Sequence, residues 1–359
     1  MIRIDVQPWG ETMAELVAAG RAAETAGAGV VWAPELHRGS FTTAAALAAG
    51  TQKEAGGEGR VGVGTGIALA FARSAMLTAL STADLDELSA GRFRLGLGTG
   101  VARLNQDWHG VPFERPLPRL RDTVSIVRAV LAGGDPIIHR GVRSIRVRGW
   151  RRPYPPVREH IPIYLAGVGP AMVALAGEVA DGWIAHELCP PAELRDRIWP
   201  ALQSGLARRT EASAGARRTE ASAGARRTEA GFDVVAAACC SVDADPAVAR
   251  RRAANVVGFY ASVRSYAPAF AAGGFAHVCE AAAAALKSGR PAESLGDLVP
   301  DEMVEAYTIA GTPAQCAARI ARYDGLADAI KLSPPSYGVP AVEVRTAQEA
   351  LLDLAGSLR

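Results

Sequence analysis

Three stretches of this 359-residue chain place glycines where a backbone could come close to a flat or anionic ligand. VGVGTGIAL carries Gly62, Gly64 and Gly66, LGLGTG carries Gly96, Gly98, Thr99 and Gly100, and LAGVGP carries Gly167 and Gly169 just ahead of a helical run. Glycine lets a strand end bend and admits a neighbouring group closely, and the free amides at a helix start suit a phosphate. Any one of these stretches is also readable as a tight βα turn, but three in one chain are hard to attribute to packing alone. None reads GxGxxG, so a dinucleotide-binding Rossmann site gains no support.

The candidates for proton transfer lie in VWAPELH, where Glu35 and then His37 follow an apolar run. A carboxyl group in a pocket can have its pKa raised into the range that proton transfer needs, which puts Glu35 first. His37 comes second, with an ordinary surface histidine as its plain alternative. Trp108 and His109 are weaker candidates for substrate contact, against simple loop packing. The five cysteines show no CxxC or CxxH spacing, so neither a metal site nor a disulfide is expected.

The elements that must position these residues follow from periodicity. Apolar strand patterns at 2–6, 30–33, 60–64, 93–97, 163–166, 182–185, 232–241 and 329–332 alternate with helical patterns at 12–26, 41–50, 74–89, 119–131, 170–180 and 312–323. Thr12 and Glu15 are spaced for a capping box on the first helix. Strands alternating with helices along a chain imply a parallel sheet with right-handed crossovers. Eight of them close into a (β/α)8 TIM barrel of α/β class, whose chemistry sits at the C-terminal strand ends. The whole chain, 1–359, is read as one such domain with insertions after strands 4 and 7. Residues 137–162 form a small hairpin and extended loop, and 258–300 form an insertion of Ala-rich helical pieces. Within 207–230 the nonapeptide ARRTEASAG occurs in tandem, which reads as duplicated coding sequence in a surface helix or loop.

Composition narrows the class further. With 39 basic and 37 acidic residues the formal net charge is +2, which argues against nucleic-acid or membrane-surface binding by bulk electrostatics. MIRIDVQPWGE opens directly as a strand with no secretory signal pattern, and no apolar run is long enough to span a bilayer, so a cytoplasmic location is expected.

Three blocks carry a family resemblance: STADLDELSAGRFRLGLGTGVARLNQDWHG (81–110), PIYLAGVGPAMVALAGEVADGWI (162–184) and GTPAQCAARIARY (311–323). In these the chain resembles the luciferase-like monooxygenase superfamily, particularly its coenzyme F420-dependent oxidoreductase branch, over nearly its whole length. The resemblance implies a non-prolyl cis peptide at Gly66–Ile67, in a bulge of the third strand that backs the central ring of a flavin or deazaflavin. It implies that Thr99, Gly100 and Asn105 approach the ring or its tail, and that Ala166, Gly167 and Gly169 cradle the phosphate. Ala185, His186, Gln7 and Trp9 would line the same pocket. Many relatives place a histidine directly after the acidic residue of the second strand; Leu36 stands there instead, so that assignment does not transfer.

The function implied is hydride transfer between coenzyme F420 and a small organic substrate by a homodimer without metal; the variable loops that would determine the substrate carry no pattern that names it. FMN-dependent monooxygenation is the alternative on the same fold, and a non-catalytic binding or structural barrel subunit is the alternative of another class.

Overall fold

Apolar residues at alternating or continuous positions form the strands, and the helices between them bury one face each. The computed structural model describes residues 2–51, 60–217 and 231–358. In chain order the first part holds β1 (Arg3–Val6), α1 (Met13–Thr25), β2 (Val30–Ala33), α2 (Ser40–Gly50), β3 (Gly62–Thr65), β4 (Ala68–Leu69), α3 (Ala75–Leu88), β5 (Phe93–Gly98) and α4 (Pro116–Ala132). The hairpin β6 (Ile137–His139) and β7 (Ile145–Val147) precedes β8 (Ile163–Ala166), α5 (Pro170–Val179), β9 (Gly182–Ile184) and α6 (Trp199–Arg217). The last part runs β10 (Asp233–Val242), α7 (Pro246–Ala261), α8 (Ala267–Ala272), α9 (Ala276–Lys287), α10 (Asp301–Tyr307), β11 (Ile309–Gly311), α11 (Pro313–Ala321), β12 (Ala329–Ser333) and α12 (Ala341–Ser357). Strands β1, β2, β3, β5, β8, β9, β10 and β12 are the parallel strands of a (β/α)8 barrel, as the alternation of the sequence implies.

The chain divides into two compact units. The larger comprises Val30–Ala185 and Ala192–Val235. In it β2 pairs with β3 (Trp32 beside Gly64), β3 with β5 (Val63 beside Phe93), β5 with β8 (Leu97 beside Leu165), and β8 with β9 (Ala166 beside Ile184). The first residues of β10 then add to β9, with Asp233 beside Gly182. The second unit comprises Met1–Gly29, His186–Pro191 and Ala236–Arg359. There β1 lies parallel to β12 with Asp5 beside Lys331, and β10 pairs with β11.

Caps explain where several helices start. Thr12 accepts from the Glu15 amide at 3.1 Å, but the Glu15 carboxylate reaches the amide of Glu11 rather than that of Thr12, so the expected capping box is displaced by one residue. The reciprocal box is complete in α11, between Thr312 and Gln315. Strand β11 was not foreseen, because its three residues are too few for a periodic signal. The stretch read as an insertion, 258–300, begins inside α7 and continues as α8, α9 and two short 3-10 turns around Phe270, Val278, Leu295 and Met303, all buried. Helix α6 carries the start of the tandem nonapeptide, whose continuation over 218–230 lies outside the described residues. No helix among the described residues is long and apolar enough to cross a membrane.

Candidate active site

In the larger unit the C-terminal ends of β3, β5 and β8 form a ridge of small residues. The peptide Gly66–Ile67 is cis, at the residues the resemblance named. Gly66, Ile67, Thr99, Gly100, Ala166 and Gly167 all keep part of their surface accessible, while the strand residues behind them are buried.

The glycines divide by what surrounds them. A Cβ on Gly64 would come within 2.5 Å of the Trp32 ring, and one on Gly66 within 2.9 Å of the Trp32 side chain. On Gly96 it would meet the Thr65 carbonyl oxygen at 2.0 Å, and on Gly98 the Ile67 side chain at 2.9 Å. These four positions are therefore required by the protein's own packing, which corrects the expectation that packing alone could not account for them. Their functional value is indirect: Gly98 leaves room for the side chain of Ile67, and so fixes how that residue sits on the cis peptide. Gly169 differs, because a Cβ there would find no atom within 4 Å.

Gly169 is also the N-cap of α5, and no side chain caps that helix. Pro170 at its first position has no amide hydrogen. A helix start without a side-chain cap is suited to an anion. Beside Gly100, which adopts a φ of 64° and lies against Leu69, the buried Asn105 donates from Nδ2 to the carbonyls of Thr99 (2.8 Å) and Val101 (3.0 Å). Its Oδ1 is buried without a hydrogen-bond partner. An accessible ridge, an uncapped helix start and an orphaned acceptor fit a flat ring with a phosphate-bearing tail.

Glu35 does not have the raised pKa expected of it. Its carboxylate accepts the Leu69 amide at 2.6 Å and is gripped by both terminal nitrogens of Arg73, at 2.9 and 2.5 Å. Burial alone would push the carboxyl up, but the Arg73 guanidinium and the Leu69 amide outweigh it and hold it below the ordinary value. Arg73 is fixed in turn over the Phe41 ring, 4.8 Å from its centre. Glu35 thus anchors the segment that follows the cis peptide and stays ionised. His37 and Leu36 are exposed in the same loop, and Trp108 and His109 are exposed in theirs.

The second unit contains a polar cluster that the sequence reading found only in part. Gln7, at the end of β1, accepts from Lys331 Nζ at 3.2 Å. Trp9 is held through its backbone by Gln348, which accepts the Trp9 amide at 2.7 Å and donates to its carbonyl. His186 packs its ring 4.3 Å from that of Tyr260 and 4.1 Å from that of Tyr266. Burial and the charge of Lys331 depress its pKa to about 3, so the ring is neutral. Glu187, Lys331, Tyr260, Tyr266, Ser333 and Tyr337 complete the cluster. Lys331 had a legible signal, a lone cation inside the apolar run ADAIKLS; Glu187 follows His186 directly in IAHELC. The tyrosines come from loops and helices with no pattern to single them out. Ala185 is buried, and its amide donates to Val235 in the larger unit's sheet.

Fold and site together define an oxidoreductase built on a parallel barrel. The chain belongs to the luciferase-like monooxygenase family, whose match covers residues 2–329. It is 30% identical over 311 residues to a 5,10-methylenetetrahydromethanopterin reductase of Methanolobus tindarius, with 83% of each chain covered. Its fold is similar to that of the coenzyme F420-dependent tetrahydromethanopterin reductase of Methanopyrus kandleri, with a TM-score of 0.74 at 20% identity, covering 97% of this chain and 98% of that one. It is also similar to the oxygenating constituent of 3,6-diketocamphane monooxygenase from Pseudomonas putida, solved with FMN, with a TM-score of 0.64 at 14% identity and 99% of both chains covered.

Proposed function

We propose that this enzyme transfers a hydride between coenzyme F420 and a small organic substrate. When bound, the deazaflavin supplies the hydride-carrying carbon; the chain's own residues hold, orient and shield it. Gly66 and Ile67 would back the ring, Thr99, Gly100 and Asn105 would border it, and the α5 start at Gly167–Gly169 would take the phosphate. The single observation that carries this reading is the uncapped start of α5 beside a ridge of accessible small residues. The reductase relatives support F420 over FMN, and the FMN-bound neighbour supports the alternative. The test is a binding titration of the purified protein with F420 and, separately, with FMN. Tight binding of F420 and weak binding of FMN is expected; the reverse order would make the protein a flavin enzyme. The same reading takes a homodimer as the working form, which sedimentation would check.

A further inference from the structure

His186 and Glu187 belong to the second unit, as do β1, β12, α7 and α8. The His186 ring is neutral, because burial and the charge of Lys331 depress its pKa. Its Nδ1 accepts the Leu188 amide at 3.3 Å, which puts the one ring proton on Nε2. Nε2 is buried and has no hydrogen-bond partner among the described residues. Buried donors in folded proteins are nearly always paired, so this N–H calls for an acceptor that the chain itself does not supply.

Aromatic rings wall the position. Tyr260 of α7 stands edge-on to His186 with ring centres 4.3 Å apart, and Tyr266, from the turn between α7 and α8, lies 4.1 Å away at an interplanar angle of 30°. Tyr260 also stands edge-on to Phe259 at 5.2 Å and to Tyr337 at 5.7 Å, and Phe259 and Tyr337 are stacked at 4.1 Å. Protein surrounds His186, Glu187, Tyr260 and Tyr266, yet each keeps part of its surface accessible, which describes a recess rather than a closed core. Because Tyr266 sits in a turn, its ring can swing away from His186 by side-chain rotation, with no helix disturbed.

Charge narrows the class of ligand. Glu187 brings one acid to the cluster and Lys331 of β12 one ammonium, whose Nζ donates to Gln7 Oε1 at 3.2 Å. Asp5, which also acts on Lys331, is paired with Arg3 at 2.9 Å. Burial pushes the Glu187 carboxyl up and the Lys331 ammonium down, each towards its neutral form. A cation entering here would meet Lys331 and an anion would meet Glu187, and either would lose its hydration.

We propose that this recess binds a small uncharged carbonyl compound with a flat apolar body, whose oxygen accepts the Nε2–H of His186 while the body lies against the Tyr260 and Tyr266 rings. Aromatic walls with one placed donor suit a conjugated or aromatic ketone, ester or amide. The site stands on the second unit alone and is independent of which cofactor the enzyme uses.

The test uses the full chain without cofactor, labelled with 15N in its histidines. The signals of His186 are those lost in His186→Phe or in His186→Gln. At neutral pH Nε2 should carry the proton; a proton on Nδ1 overturns the proposal. Acetophenone, methyl benzoate and benzamide are then titrated beside ethylbenzene, which has a similar body and no acceptor, and beside benzoate and benzylammonium. A carbonyl probe should shift the Nε2–H signal saturably and bind about 10-fold or more tightly than ethylbenzene, the scale of one hydrogen bond to a buried donor. His186→Phe keeps a ring and removes the donor, so it should abolish that preference. Tyr266→Leu should instead weaken the carbonyl probe and ethylbenzene alike. No saturable shift with any carbonyl probe, equal binding of ethylbenzene, or tighter binding of benzoate or benzylammonium overturns the proposal. If His186→Phe does not fold, the comparison of carbonyl probes with ethylbenzene on wild type decides alone.

Discussion

Replacing Gly169 with alanine separates a ligand-facing glycine from the packing glycines around it. Its backbone, at φ −78° and ψ 147°, suits any L-residue, and the added methyl would meet no atom within 4 Å. Without ligand the change should therefore be neutral, or stabilise by about 0.4–1 kcal/mol through the lost freedom of the unfolded chain. With ligand the methyl stands where an anion would approach the amides at the start of α5. Loss of one hydrogen bond to a charged group is worth about 1.5–3 kcal/mol, which at about 1.4 kcal/mol per decade is a roughly 10- to 150-fold weaker Kd. The assay pairs a thermal melt of the ligand-free protein with a fluorescence titration by F420. An unchanged or higher Tm together with weakened binding is expected. Unchanged F420 affinity would refute the assignment of the phosphate to this helix start.

Gly96→Ala, whose Cβ would lie 2.0 Å from the Thr65 carbonyl oxygen, should fail to accumulate as folded protein or lose about 3 kcal/mol or more in chemical denaturation. Glu35→Gln should lose about 1–3 kcal/mol of stability at neutral pH through the weakened Arg73 and Leu69 contacts. Because the Glu35 pKa is depressed on folding, that contribution is present above the unfolded value and disappears as pH falls through the folded one, so the two melting curves should converge in acid. The His186 pKa is depressed from 6.5 to about 3, so its contribution is complete above 6.5 and is lost on acidification at up to about 1.4 kcal/mol per pH unit. His186→Gln should flatten that part of the stability profile. The Glu187 pKa is raised, so stability falls as pH rises through the folded value, and Glu187→Gln should melt higher than wild type in alkali.

The barrel was legible because each βα repeat carries its own hydrophobic period and the units follow one another along the chain. The positions of β1, β2, β3, β5, β8 and β9 fall within a few residues of the periodic pattern. Elements of two or three residues, β4 and β11, have no period to read. At the site, the cis peptide and the glycine-rich ends were located through family resemblance, but their causes were not. A sequence cannot say whether a glycine is empty of neighbours or crowded by Trp32, as Gly64 is. The lowered pKa of Glu35 was illegible for a similar reason: its partner Arg73 is 38 residues away, and only folding brings them together. The tyrosines around Glu187 also converge from separate segments, so the raised pKa of this acid was invisible until its neighbours were known.

The most direct measurement is the absorbance and fluorescence titration of the purified chain with F420, repeated with FMN and with Gly169→Ala. Saturable F420 binding, weakened by Gly169→Ala and not matched by FMN, is the expected result. Binding of neither cofactor, or of FMN alone, would contradict an F420-dependent hydride-transfer enzyme.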